Sequence, residues 1–441
     1  MGRLELITAQ SADTAARDRD SARAPRRSGR RTTKGLLALA LGAVLLGATA
    51  CGGGSGGAHT DNNSNQDGKG GGSQGAASSS SANPNASQAS VTVLPKNGAT
   101  GVDTSGALKI SAAKGKLTKV AVTGGGATVA GAISADGVSW TPAAALHTGT
   151  HYTVAATAAD TAGHTIQQQT AFTTLTPKAV NYGVFNIDQG VTYGVGMEVS
   201  IQFNKAIDGG DMGAVHKGIT VTSNPPVDVQ GHWFGNQRID FRPENYWAAG
   251  TKVTLHLRLN GVKTAPGVYG QQNKDVSFTI GRNQTSVADN VAKTLKIYHD
   301  GKLYKEFPAS LGDPTHTTYN GKMVVMEKDP VVDMDSRTVG LGNAYRIKDV
   351  PHGMRLSSSG TFEHGNYWRP NSVFGHENTS HGCVGLHDVK GGGDPNTPAA
   401  WVYAHTLVGD VVQVINSPDK IIPPDNGWNG WNMSWTAWKT N

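Results

Sequence analysis

Cys383 is one of only two cysteines in a chain of 441 residues. It lies in SHGCVGLH, residues 380–387, with His381 two places before it and His387 four places after. A thiol so placed could ligate a metal, exchange disulfides, attack a carbonyl or simply be buried. As a nucleophile it needs a base for its proton, a group to orient that base, and N–H donors for the developing oxyanion. Two histidines upstream are candidate bases. His364, in TFEHGNYW after an expected strand, can be held rigidly, and the bare backbone of Gly365 beside it offers a carbonyl to a ring nitrogen. His381 adjoins the thiol in sequence, but neighbouring side chains usually diverge, so its expected work is to brace the loop. Gly382 permits a tight turn that gathers backbone N–H groups at one point, and Tyr345 is a further candidate donor. Because a carbonyl survives a change of side chain, Gly365→Ala is expected to have a small effect unless the position needs positive φ.

The competing chemistries fit less well. His376, His381, Cys383 and His387 could supply four ligands within twelve residues. Their spacing matches no common zinc pattern, and the chain has neither a neighbouring second cysteine nor HExxH, so no metal is expected. A redox site would want a CxxC pair. A structural cysteine belongs in apolar surroundings rather than in a Ser-His-Gly-Cys loop.

The compartment sharpens the choice. A basic stretch ends at Lys34, and the apolar run at 35–50 is short for a membrane span and ends in small residues. Cys51 follows, and GATAC resembles a bacterial lipoprotein signal whose cysteine becomes the acylated first residue. A plain secretory signal is the alternative, and Arg30-Arg31 also allows the twin-arginine route. Either way the folded part is expected outside the cytoplasm. With Cys51 lipidated, Cys383 has no disulfide partner, and an unpaired thiol in an oxidising compartment points to one that works. The net charge of +6 does not indicate a nucleic-acid surface, because residues 1–50 carry nine Lys/Arg against four Asp/Glu and so hold five of the six charges.

The elements that must position these groups are mainly β. Residues 52–89 are a Gly/Ser/Asn linker, averaging roughly 30–37 Å end to end as a flexible coil. Two similar β modules follow at 90–176 and 177–284. In each a proline (Pro142, Pro243) precedes a Gly-Thr pair and an alternating strand, at an offset of 101 residues, the size of an immunoglobulin-like sandwich. A third region, 285–417, carries a hairpin signal at Asp300-Gly301. It holds one clear helix in TPAAWVYAHTLVG, with Thr397 as cap, Pro398 in the first turn and Gly409 as stop. The tail, 418–441, has four tryptophans, Trp428, Trp431, Trp435 and Trp438, at helix-like spacings, and is expected to dock on the third domain.

His364-Gly365, the eighteen residues between His364 and Cys383, and SHGCV at 380–384 closely resemble the signature of L,D-transpeptidase catalytic domains. The actinobacterial members also place two immunoglobulin-like modules before that domain and a Trp-rich tail after it. MDS at 334–336 and NAYR at 343–346 look like the flap over their donor pocket. The resemblance implies a mostly β catalytic domain in which Cys383 is the nucleophile, His364 the general base and the Gly365 carbonyl its orienting partner. The N–H groups of Gly382 and Cys383, helped by the Tyr345 hydroxyl, would form the oxyanion hole. Ser380 and His381 would shape the site, and Met334 would line the pocket. Many members have Asn or Arg two residues after the cysteine, where Gly385 stands here, so a contact to the donor is missing.

The implied reaction needs no cofactor. The thiol would attack a peptidoglycan tetrapeptide stem, expel the terminal D-Ala, and pass the acyl group to a side-chain amine of another stem, giving a 3→3 cross-link. Carbapenems would acylate the same thiol, and Cys51 would anchor the enzyme by lipid to the outer face of the plasma membrane. The alternatives are a wall-binding lipoprotein with an inactive catalytic domain, which the intact His364–Cys383 pair argues against, and an L,D-carboxypeptidase that uses water as acceptor.

Overall fold

The computed structural model describes residues 86–340 and 342–440. Cys51, the signal segment and the linker up to residue 85 lie outside these residues.

Each N-terminal module folds because its strands alternate. In the His151–Ala159 strand, Tyr152, Val154, Ala156 and Ala158 point inward. In the Lys252–Arg258 strand, Val253, Leu255 and Leu257 do the same. The first module packs a four-stranded sheet against a five-stranded one around Trp140, Tyr152 and Phe172. The second builds three smaller sheets around Ile201, Trp233, Phe241 and Phe278.

The C-terminal domain is organised on one nine-stranded mixed sheet. The Asp300-Gly301 turn has positive φ at both residues, 50° and 74°, as a type I′ hairpin requires. It joins Thr294–His299 to Lys302–Ser310. Beside them run Val384–His387, Phe362–Asn366, Arg346–Arg355 and, at the edge, Glu327–Asp335. The last two form a long hairpin whose tip is closed by Ser336. Its Oγ donates to the carbonyls of Gly342 and Tyr345 at 2.8 and 2.9 Å and accepts from the Tyr345 N–H at 3.1 Å. This one buried hydroxyl links the MDS and NAYR segments.

The helix is Pro398–His405, capped by Thr397 Oγ1 accepting from the Ala400 N–H. It ends four residues before Gly409 rather than there. Gly409, at φ 93°, instead packs on Gly194 of the second module, and its carbonyl accepts from the Gly196 N–H at 2.9 Å.

The tail does not form one helix, nor does it dock on the third domain alone. Only Trp435–Trp438 is α-helical. Asn429 and Asn432 bond the Val324 and Lys322 N–H groups of the catalytic sheet. The tryptophans turn toward the second module. Trp438 donates to the Gln230 carbonyl at 2.9 Å and stacks on His232. The buried Arg242 guanidinium lies over the rings of Trp431, Trp435 and Trp438 at 4.8, 5.4 and 4.4 Å. Three of the four rings are thus gathered against one guanidinium of the second module.

Candidate active site

Two adjacent parallel strands bring the distant residues together. Phe362–Asn366 pairs with Val384–His387 so that His364 lies opposite Gly385. Cys383 is two residues before Gly385, so the side-chain period of two puts the thiol and the imidazole on one face. His364 is 3% exposed, and its Nδ1 bonds the Gly365 carbonyl at 2.9 Å. With Nδ1–H donating, Nε2 is left as the basic nitrogen. Burial lowers the imidazole's pKa, and the Gly365 carbonyl and the Asp388 carboxylate oppose that shift. Trp368 stacks on the ring at 5.7 Å.

The thiol is 7% exposed, and burial pushes its pKa up to about 11. Burial thus works against charge on both groups, thiolate and imidazolium alike. Sγ points to the Gly360 carbonyl, 3.8 Å away. The turn carrying Gly360 is pinned from the tail, where Asn426 accepts from the Ser359 N–H at 2.9 Å and Asn429 donates to the Leu356 carbonyl at 3.2 Å.

The loop before the thiol is tied through Ser380, whose Oγ donates to the Cys383 carbonyl at 2.6 Å and accepts from the Gly382 N–H at 3.2 Å. Gly382 has φ 105°, a conformation that excludes other residues. Its N–H, a candidate oxyanion donor, is already engaged by Ser380. Burial raises the Tyr345 phenol to about 12, which keeps its hydroxyl protonated. His381 sits between His316 and Tyr345, ring centroids 4.4 and 4.9 Å away, in the place of a brace. Met334 is buried beside Cys383, Val350 and Phe362. His387 packs edge-on against Phe374 instead of turning to the thiol. Among the described residues no group of three or more His, Cys, Asp or Glu converges as a metal site.

The small effect expected of Gly365→Ala is overturned. Gly365 does not have positive φ, yet a Cβ there would lie 2.8 Å from both Cβ and Cγ of Asp388, and nearer still to its Oδ2. That carboxylate is fully buried, bonded to His352 Nδ1 at 2.7 Å and to Thr397 Oγ1 at 3.0 Å. Asp388 thus stands directly behind the residue whose carbonyl bonds His364 Nδ1. Sequence reasoning missed Asp388, Gly360 and Asn366. Asn366 was within reach, being two residues after His364 and so on the same face of its strand.

A cavity of about 160 Å³ opens over the thiol, lined by Met334, Tyr345, His364, Asn366, Arg369 and Ser380 among others. Gly385, opposite His364, is closely flanked: a Cβ there would be 3.3 Å from the Ser310 carbonyl and 3.6 Å from Asn366 Nδ2.

A family model described as the L,D-transpeptidase catalytic domain matches residues 283–414, and one described as a bacterial Ig domain matches residues 99–263. The chain is 34% identical over 409 residues to L,D-transpeptidase 2 of Mycobacterium tuberculosis, covering 92% of this chain and 94% of that protein. With L,D-transpeptidase 5 of the same species it shares 29% identity over 357 residues, 79% of this chain and 76% of the other. A solved structure of an L,D-transpeptidase in complex with imipenem is 27% identical with a TM-score of 0.44, covering 53% of this chain and 97% of that one.

Proposed function

The chain belongs to the L,D-transpeptidases, which cross-link peptidoglycan stem peptides, and on that premise we propose that it works through a Cys383 acyl-enzyme. The observation that carries this reading is the parallel register that sets Cys383 and His364 on one face, with His364 Nδ1 tied to the Gly365 carbonyl. His364 Nε2 takes the thiol proton as Sγ attacks the donor carbonyl. The oxyanion is met by the Cys383 N–H and the Tyr345 hydroxyl, with Gly382 joining if it exchanges its bond to Ser380. The C–N bond to the terminal residue then breaks, and His364 returns the proton to the leaving amine. A side-chain amine of a second stem attacks the thioester and gives its proton to His364. The thiolate leaves and is reprotonated, and a 3→3 cross-link remains. The proton inventory closes on His364 alone.

A carbapenem offers the same thiol an activated carbonyl, and the imipenem complex of a relative supports its use as a probe. The enzyme works on the outer face of the plasma membrane, held there by lipid on Cys51; the support for this is the basic, apolar and GATAC segments of the sequence.

Intact-protein mass spectrometry tests the chemistry. Carbapenem should add one drug mass to the wild type and none to Cys383→Ala, and a tetrapeptide donor should leave a tripeptide adduct. Equal labelling of both proteins would reject Cys383 as the nucleophile.

A further inference from the structure

Arg369 is the only formally charged side chain among the residues lining the cavity over Cys383. It is exposed, and its guanidinium has no ion pair or side-chain hydrogen bond among the described residues. Its backbone N–H instead donates to Asn366 Oδ1 at 3.2 Å. That bond fixes the Asn366 amide, which is 3% exposed. Its Nδ2 has no hydrogen-bond partner among the described residues, and Asn366 lines the cavity. A held amide donor and an unpaired guanidinium thus line one cavity over the thiol, on residues 366 and 369 that follow His364.

That cavity is where the leaving group must lie. If His364 returns the proton to the leaving amine, the amine sits at Nε2. The α-carboxyl carbon of the expelled residue is two bonds further on, about 2.5 Å away. Asn366 follows His364 on the same face of the same strand, about 6.6 Å along. Resting on the acyl-enzyme reading above, we infer that Asn366 and Arg369 bind the free α-carboxylate of the residue that Cys383 expels, and so select donors that end one residue beyond the attacked carbonyl. The chemistry matches: guanidinium and amide N–H groups are the donors that carboxylates take in charge-assisted bonds. A donor whose carboxylate is amidated, or extended by another residue, puts a neutral group against Arg369.

The test compares a tetrapeptide donor with its C-terminal amide, measuring kcat and KM for release of the terminal residue. Wild type should prefer the free acid by about 10–100-fold in kcat/KM, the worth of a charge-assisted bond. Arg369→Gln should raise KM for the free acid by that factor, leave kcat within about threefold, and bring the two donors level. Arg369→Lys should restore part of the preference. Asn366→Asp, which sets one carboxylate against another, should make the amide the better donor. Each variant is first shown to take one equivalent of carbapenem at saturation, so that loss of fold is not scored as loss of selectivity. The inference is overturned if wild type does not distinguish the donors, or if Arg369→Gln keeps the wild-type ratio. A wild type that carbapenem labels, but that releases the terminal residue from neither donor, fails instead on the acyl-enzyme reading itself.

Discussion

Replacing Gly365 by alanine adds one methyl group at the point where the base is oriented. Carbon atoms in ordinary contact are about 3.5–4.0 Å apart, whereas the new Cβ would stand 2.8 Å from Cβ and Cγ of Asp388. Roughly 1 Å of movement is needed, set by the difference from that contact distance. Asp388 is a short side chain, fully buried and held by His352 and Thr397, so it cannot swing clear without giving up those bonds. The Gly365 strand must move instead, and with it the carbonyl that receives His364 Nδ1–H. Overpacking of this kind costs about 1–3 kcal/mol, or roughly 3–12 °C in the melting transition of a domain this size. A displacement of that length at a catalytic group can cost about 100-fold in rate. Stopped-flow carbapenem acylation and thermal melting should therefore show a fall of about 10–100-fold in rate together with the lowered transition, by the same estimates. Gly385→Ala, whose Cβ would meet the Ser310 carbonyl at 3.3 Å and no atom nearer, is the milder comparison and should lose less of the melting point than Gly365→Ala. Wild-type acylation and melting in Gly365→Ala would refute the reasoning.

Two further outcomes are expected. Glu363 is 1% exposed, on the face of the strand opposite His364; its Oε1 has no hydrogen-bond partner among the described residues, and burial raises its pKa from 4.5 to about 8. Between those values the unfolded chain gives up a proton that the fold retains, so this group makes stability fall as pH rises, by about 1.4 kcal/mol per unit and roughly 3 kcal/mol by pH 7. Glu363→Gln should abolish that part of the slope in melting runs from pH 5 to 7.5, and parallel curves for the two proteins would exclude the retained proton. Cys51→Ser should move the protein from the membrane fraction to the culture medium, and continued fractionation with membranes would exclude the lipid anchor.

Residue types and spacing carry the pair proposed to react, His364 and Cys383, and the β frame around it. His364-Gly365 and SHGCV carry their chemistry in residue type and spacing. The two sandwich modules announce themselves in alternation, because a half-buried strand must repeat every two residues. The Asp300-Gly301 turn is legible because few residues accept positive φ twice in succession. These signals are local, so a linear reading reaches them. What stands behind and around the pair is set by residues distant in sequence. Asp388 is 23 residues from Gly365 in sequence, yet it makes Gly365 a steric necessity where its sequence neighbours showed only a useful carbonyl. The Gly360 carbonyl meets the thiol because tail asparagines hold its turn from 67 and 73 residues away. The helix-like spacing of the tail tryptophans misled because Arg242, 191 residues from its carbonyl partner Met433, gathers three of the rings, and Gln230, 208 residues from Trp438, takes that indole's N–H. Close packing of side chains from distant elements leaves no periodic trace in any one of them, and it is that packing which sets where the base, the thiol and the tail come to rest.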